Sequence, residues 1–333
     1  MSTSPPRRAV EGDVHDLVDL AEITAAHERI RPHVMHTPLV EVGHRGVLLK
    51  AESLQVTGSF KLRGALNTVL QLSVDQRHQG IVAHSSGNHA VAVACAGALL
   101  DVATTVVMPH DAPMVKQDGA RSFGAEVVLV GSASDERITV ARQLVHERGC
   151  VMVEPYDSRS VVAATATITV EILADRPETR EIYVPISGGG LAAGVALAAA
   201  LIDPDVRVIG VEPELAADAL ASRRAGRRIS LPAADMARTA ADGLRVQQVG
   251  VIPWPYIEAF VDGIVTVSED EMRQAMRDVA RRSRLITEPS GAVSVAAALI
   301  GRGGCGVRPD ERVAILSGGN VDPGALRAVT AEE

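Results

Sequence analysis

At 333 residues the chain is long enough for a large core and for two domains. Its 47% apolar and 22% charged content suits a globular protein in water. The net charge of −8 excludes general nucleic-acid binding, which needs a basic footprint. The N-terminal residues 1–16 are polar and aperiodic and are expected to be disordered. They hold no apolar stretch of the kind a secretory signal needs. Leu20, Ile23, His27 and Ile30 then recur at helical spacing. A short strand at 47–50 leads to Thr57-Gly58-Ser59-Phe60-Lys61-Leu62-Arg63-Gly64-Ala65, where a helical pattern begins at a lysine. Taken alone, such a lysine reads as a surface residue.

From residue 81 strands and helices alternate. Strands are expected at 81–83, 104–108, 127–130, 151–153, 182–186, 206–211, 264–267 and 313–316. Helices are expected at 90–100, 113–123, 135–148, 161–173, 191–201, 216–225, 268–282 and 291–300. Ser268-x-x-Glu271 has the form of a capping box. This alternation means parallel sheet covered by helices. With aromatics at 2%, the core must be aliphatic. Residues 227–255 have weak periodicity and read as a long functional connection. The longest apolar run, 188–202, falls short of the ~20 residues that span a bilayer. The cysteines Cys95, Cys150 and Cys305 are dispersed and odd in number. They read as reduced thiols of a cytoplasmic protein, not as a disulfide framework or a zinc site.

Three polar or glycine-rich turns follow strands. They are Ser85-Ser86-Gly87-Asn88-His89, Ser187-Gly188-Gly189-Gly190-Leu191 and Ser317-Gly318-Gly319-Asn320. The second opens a helix, so its amides and the helix N-terminus can meet an anion. On its own this loop also fits the dinucleotide fingerprint, as Gly188-x-Gly190-x-x-Ala193 with Glu212 in the ribose-binding place. Loops at strand carboxyl ends line one crevice in such sheets. Three of them with a lysine at a helix start favour a compact ligand carrying one phosphate.

Here a resemblance becomes specific. Ser59-Phe60-Lys61-x-Arg63-Gly64-Ala65, the 85–89 turn, Gly188-Gly189-Gly190-Leu191 and Leu316-Ser317-Gly318-Gly319-Asn320 stand in the order found in fold type II pyridoxal-phosphate enzymes. The chain resembles the threonine/serine dehydratase and serine racemase group from about residue 37 to residue 320. The resemblance implies an α/β fold of two open twisted parallel-sheet domains, tryptophan synthase β-like, with the cofactor between them. Residues 1–75 and 155–333 would form the large domain and 76–154 a small mobile one. Lys61 would hold pyridoxal phosphate as a Schiff base and act as base on the substrate Cα. Phe60 would pack beside the cofactor, and Asn88 would bond its phenolate oxygen. Gly188, Gly189, Gly190 and Leu191 would bind its phosphate, and Ser317 would face its pyridine nitrogen. Ser85, Ser86, Gly87, Asn88 and His89 would take the substrate carboxylate, with His89 structural. Glu212, Ala216 and Asp218 match a divalent-cation site suited to Mg²⁺ or Ca²⁺.

The implied reaction is ammonia-lyase chemistry on a β-hydroxy amino acid, serine or threonine, with 3-hydroxyaspartate as a further substrate. Ser86 leaves amino-acid racemisation open, with Lys61 and Ser86 as the two bases. A pyridoxal-phosphate-binding regulatory protein without turnover is a third reading. Two departures stand out: Ser187 replaces the first glycine of the usual four-glycine loop, and Arg245-Val246 stand where the β-substituent pocket is expected. Arg137 aligns with an entrance arginine of the racemase-like members, but its spacing reads first as an exposed helix residue. A homodimer is the group's expectation.

Overall fold

The computed structural model describes residues 17–131, 134–304 and 306–331. The expectation of disorder for residues 1–16 and the reading of Cys305 lie outside them. Among the described residues ten strands form two sheets: β1 (Leu39–Glu41), β2 (Leu48–Ala51), β3 (Ile81–His84), β4 (Thr104–Pro109), β5 (Glu126–Val130), β6 (Val151–Met152), β7 (Glu181–Pro185), β8 (Arg207–Pro213), β9 (Gly263–Val267) and β10 (Arg312–Leu316). The larger sheet has the order β1-β2-β10-β7-β8-β9, and the smaller β5-β4-β3-β6. All pairs are parallel except β1 with β2. The strand–helix alternation in the sequence therefore corresponds to two doubly covered parallel sheets.

The inner strands β3, β4, β7, β8 and β10 are rich in Val, Ile and Ala because both of their faces are buried. Helices Arg159–Asp175 and Gly190–Ile202 approach closely because their facing surfaces carry alanine, threonine and glycine. A Cβ on Gly194 would overlap Thr165 and the Val162 carbonyl, so only glycine fits there. This contact compensates for the scarcity of aromatic volume. Helix Lys61–Leu70 packs on helix Asn88–Leu99 through Leu62, Ala65, Leu66, Ala90 and Ala94, all in one buried cluster. The helix that begins at Lys61 thus lies between the two sheets.

Several boundaries differ from expectation for local reasons. Helix Asn88–Leu99 starts two residues early, directly on the polar turn. Residues 268–282 divide into helix Glu269–Asp278, opened by the expected Ser268/Glu271 capping box, and a π turn Val279–Ser283. The 227–255 stretch ends in helix Pro253–Phe260, whose first turn begins with Pro253, where a missing N–H costs nothing. Among the described residues no helix is long and apolar enough to cross a membrane. Cys95 and Cys150 are buried free thiols.

Candidate active site

Parallel pairing brings the carboxyl ends of β2, β10, β7 and β8 to one edge of the large sheet. After β2 the chain is zipped onto the loop after β10. Phe60 N donates to Ser317 O (3.1 Å) and Gly319 N to Gly58 O (2.9 Å). Gly58 has φ +71°, and a Cβ there would overlap the Asn320 amide, so glycine is required on both counts. This zipper fixes where the next helix begins, and its first residue is Lys61. Lys61 Nζ donates to the Pro155 carbonyl at 2.7 Å and lies 5.1 Å from the Phe60 ring centre. A cavity around it is lined by Gly64, Ala65, His89, Val161 and Thr165. Burial alone lowers its pKa to about 8. The default surface role is thus overturned: Lys61 is half-buried with its amine turned inward, and the burial that lowers its pKa favours the neutral form a nucleophile or base needs.

The 187–191 loop follows β7. Ala193 N bonds back to Gly189 O at 2.8 Å, so the amides before it open the helix without a helical partner. Gly189 has φ +92°, and a Cβ on it would meet Ile257 at 2.8 Å and Pro253 at 2.9 Å. Tyr156 covers the loop: a Cβ on Gly190 would lie 2.8 Å from its carbonyl oxygen, and one on Gly188 would overlap its ring. Burial pushes the Tyr156 phenol up to about 12. Ser187 Oγ is buried without a hydrogen-bond partner. A buried hydroxyl in need of a partner, beside free amides at a helix start, fits an anionic group.

The 85–89 turn follows β3 and faces the same cleft. Gly87 N donates to Ser85 Oγ at 3.0 Å, and Ser85 and Ser86 are half-buried. Asn88 spans the two sheets: its Nδ2 donates to Glu288, and its Oδ1 accepts from Asn320 Nδ2 at 2.9 Å. His89 is buried with Nε2 2.8 Å from the Val153 carbonyl, so that nitrogen carries the proton. Burial, then the nearby Lys61 charge, holds its pKa down to about 3. The lowered pKa and the Val153 contact favour a neutral imidazole. Ser317 is buried at the end of β10.

Glu212 and Asp218 are close enough to interact electrostatically. Glu212 is fully buried and accepts from Ala219 N (2.9 Å) and Leu220 N (2.8 Å). That removes the ribose-binding role of the dinucleotide alternative, because its carboxylate is turned from β8 onto the amides that open helix Asp218–Ala225. Both oxygens of Asp218 are buried without hydrogen-bond partners. Burial raises both carboxyls, Asp218 to about 7 and Glu212 well above its usual range with Asp218 as a second cause. Ala216 is buried between them in sequence. Arg245 is exposed and donates from Nε to the Thr239 carbonyl (3.0 Å). Val246 is half-buried. Arg137 is half-buried rather than exposed. Burial first, then the charges of Arg137 and Arg142, hold His84 down to about 4.

Sequence reasoning missed the charged frame around Lys61. Arg63 is fully buried and grips Glu52 (2.9 and 2.8 Å) and Glu171 (2.7 and 2.9 Å) with both sides of its guanidinium. Lys50 Nζ adds a contact to Glu171 at 2.6 Å. It also missed Lys116, whose ammonium lies 2.6 Å from Asp242 and 3.0 Å from Glu288. The Glu288-Pro289 step was a signal for Glu288, since an acid before proline marks a helix start. Nothing local marked the others.

Comparison with known proteins agrees with this geometry. Residues 30–319 match the family model described as pyridoxal-phosphate dependent enzyme. The chain is 39% identical to serine racemase of Arabidopsis thaliana over 317 residues, covering 92% of this chain and 95% of the relative. It is 37% identical to the catabolic L-threonine dehydratase of Staphylococcus aureus over 314 residues, covering 92% and 90%. The structure of maize serine racemase superimposes with a TM-score of 0.88 at 35% identity, over 94% of this chain and 97% of that one. The chain belongs to the pyridoxal-phosphate dependent enzymes of fold type II.

Proposed function

We propose that the protein is an ammonia-lyase of β-hydroxy amino acids, serine and threonine first, which releases a 2-oxo acid and ammonia. The observation that carries this is Lys61: an enclosed amine with a pKa near 8, set among three anion-binding or polar loops. Pyridoxal phosphate, when bound, draws electrons from the substrate Cα and makes its proton acidic. Lys61 holds the cofactor and moves the Cα proton at Nζ. The amides of Gly188, Gly189, Gly190 and Leu191, with the unpartnered Ser187 hydroxyl, take the phosphate. Phe60 and the Tyr156 cover exclude water. Asn88 keeps its amide oriented through Glu288 and Asn320 and presents its remaining N–H to the phenolate oxygen. Ser317 would offer the pyridine nitrogen a neutral hydroxyl, which would favour loss of a β-substituent over a long-lived carbanion. Ser85, Ser86, Gly87, Asn88 and His89 seat the substrate carboxylate at a helix N-terminus. Loss of the β-hydroxyl leaves an enamine, which water converts to the 2-oxo acid and ammonia. Residues 76–154 act as the mobile unit that closes this cleft.

Racemisation is the second reading, favoured by the Ser86 hydroxyl in the carboxylate turn. Lys61 and Ser86 would then act on Cα in turn. Holoenzyme incubated with L-serine or L-threonine is assayed for both 2-oxo acid and D-isomer. The lyase reading expects the 2-oxo acid as main product. Ser86→Ala is expected to keep it within about tenfold and to remove D-isomer formation, since one general acid–base group contributes ~10²–10⁴-fold. No 2-oxo acid from any β-hydroxy amino acid sinks the lyase reading, and no D-isomer in wild type sinks the racemase one.

We also propose that Glu212, Asp218 and the Ala216 carbonyl bind Mg²⁺ or Ca²⁺. The support is Asp218, a buried carboxylate whose oxygens lack a well-formed hydrogen bond, beside a second buried carboxylate. Hard oxygen ligands suit these ions. Chelation with EDTA is expected to lower the melting temperature by several degrees and either ion to restore it, as binding linkage requires. Asp218→Asn is expected to remove the response; an unchanged response in that variant rejects the site.

A further inference from the structure

Of the 33 lysines and arginines only three are lysines: Lys50, Lys61 and Lys116. Lys50 belongs to the Arg63 frame and Lys61 to the chemistry. Lys116 has no role in either, yet it is 2% exposed. It stands on helix Met114–Ser122, which flanks the small sheet. Its ammonium reaches across to residues beside the large sheet, at 2.6 Å from Asp242 Oδ2 and 3.0 Å from Glu288 Oε2. The hydrogen bond goes to Asp242; Glu288 Oε2 is an ion-pair contact with no hydrogen bond of its own. The other oxygen of Glu288 accepts from Asn88. The lysine stem runs over Gly87, where a Cβ would sit 3.1 Å from Cδ and 3.3 Å from Nζ. Two carboxylates and one ammonium therefore stand at the edge of the turn that is read above as the seat of the substrate carboxylate. Without the ammonium, two uncompensated negative charges would face an incoming anion, and like charges brought together in a partly desolvated site repel strongly.

We propose that Lys116 is a substrate-positioning residue, whose ammonium neutralises Asp242 and Glu288 at the edge of the 85–89 turn so that the turn can take the substrate carboxylate. This rests on the reading of that turn given under Proposed function. A compact ammonium suits the place, because a guanidinium fork is larger and directs its donors in a plane.

The test uses holoenzymes with L-threonine and L-serine. Glycine, which has no β-substituent, reports binding through the cofactor's absorbance. K116M is expected to raise KM and the glycine dissociation constant by about tenfold or more, with kcat within about threefold and cofactor content unchanged. D242N added to K116M removes one of the stranded charges and is expected to bring KM part of the way back. K116R, which keeps the charge, is expected to lie closer to wild type than K116M/D242N. If K116M does not fold, the comparison of K116R with the double variant still decides. A K116M enzyme with wild-type KM and glycine binding overturns the proposal. So does a loss carried equally by kcat and cofactor content, or a K116R no better than the double variant. Absence of wild-type turnover removes the reading of the turn itself, and this proposal with it. Normal turnover with a flat KM series removes the role of Lys116 alone.

Discussion

Lys61→Ala is expected to lower turnover of L-serine and L-threonine by ~10³-fold or more while the fold stays intact. The size follows from removing both the covalent attachment point and the proton-transfer group, either of which contributes orders of magnitude. The fold survives because the variant deletes a half-buried side chain whose amine hydrogen-bonds the Pro155 carbonyl, and alanine suits a helix interior. Steady-state kinetics beside far-UV circular dichroism checks both halves. A variant that keeps turnover within tenfold removes Lys61 from the chemistry. A direction with pH follows from the same amine. Its pKa near 8 means that capture of pyridoxal phosphate by the apoenzyme should quicken as pH rises through about 8, because only the neutral amine attacks.

Arg63→Met is expected to cost about 3–5 kcal/mol of stability, the usual result of stranding a buried charge partner. Arg63, Glu52, Glu171 and Lys50 form a closed set of two cations and two anions, all buried. Thr37 supports it by donating to Glu52 at 2.5 Å and accepting from Lys50 at 2.6 Å through its carbonyl. With Arg63 gone, Glu52 keeps only a hydroxyl and Glu171 only Lys50. Arg63→Lys is expected to rescue little, because a point ammonium cannot grip two carboxylates with paired bonds. Urea unfolding checks the loss, and a change below 1 kcal/mol contradicts it. The set is also acid-sensitive. Burial pushes the Glu171 carboxyl up, but Arg63 and Lys50 outweigh that and hold it below its usual range. Its contribution is therefore present above the unfolded carboxylate pKa and is lost as pH falls through the lowered folded value. Arg63 is the third residue of the helix that begins at Lys61, so the frame also anchors the first turn that carries the amine.

The features legible in the chain were those with a local signature. Apolar runs followed by glycine turns gave the strands after which the 85–89, 187–191 and 317–320 loops stand. The lysine among small residues at 57–65 gave the helix start. β1 was not legible, because three residues, Leu39–Glu41, carry too little periodicity. Helix Pro253–Phe260 was hidden behind two prolines that its first turn tolerates. The charged partners were beyond any local pattern. Lys116 meets Glu288 at a separation of more than half the chain, and only the docking of the small sheet beside the large one makes them neighbours. Arg63 and Glu171 are likewise joined by tertiary packing, 108 positions apart. Glu212 shows the opposite case. Its spacing from the glycine loop matched a ribose-binding acid, but spacing does not record which way a carboxylate faces. The structure turns it onto the amides of Ala219 and Leu220.

The most direct test of Lys61 as the cofactor's lysine is borohydride reduction of the holoenzyme followed by peptide mapping. The chain has only three lysines, so three peptides cover every candidate. A phosphopyridoxyl group is expected on the peptide containing Lys61 and none on those containing Lys50 or Lys116. A label on Lys116, or no reducible label at all, would contradict it.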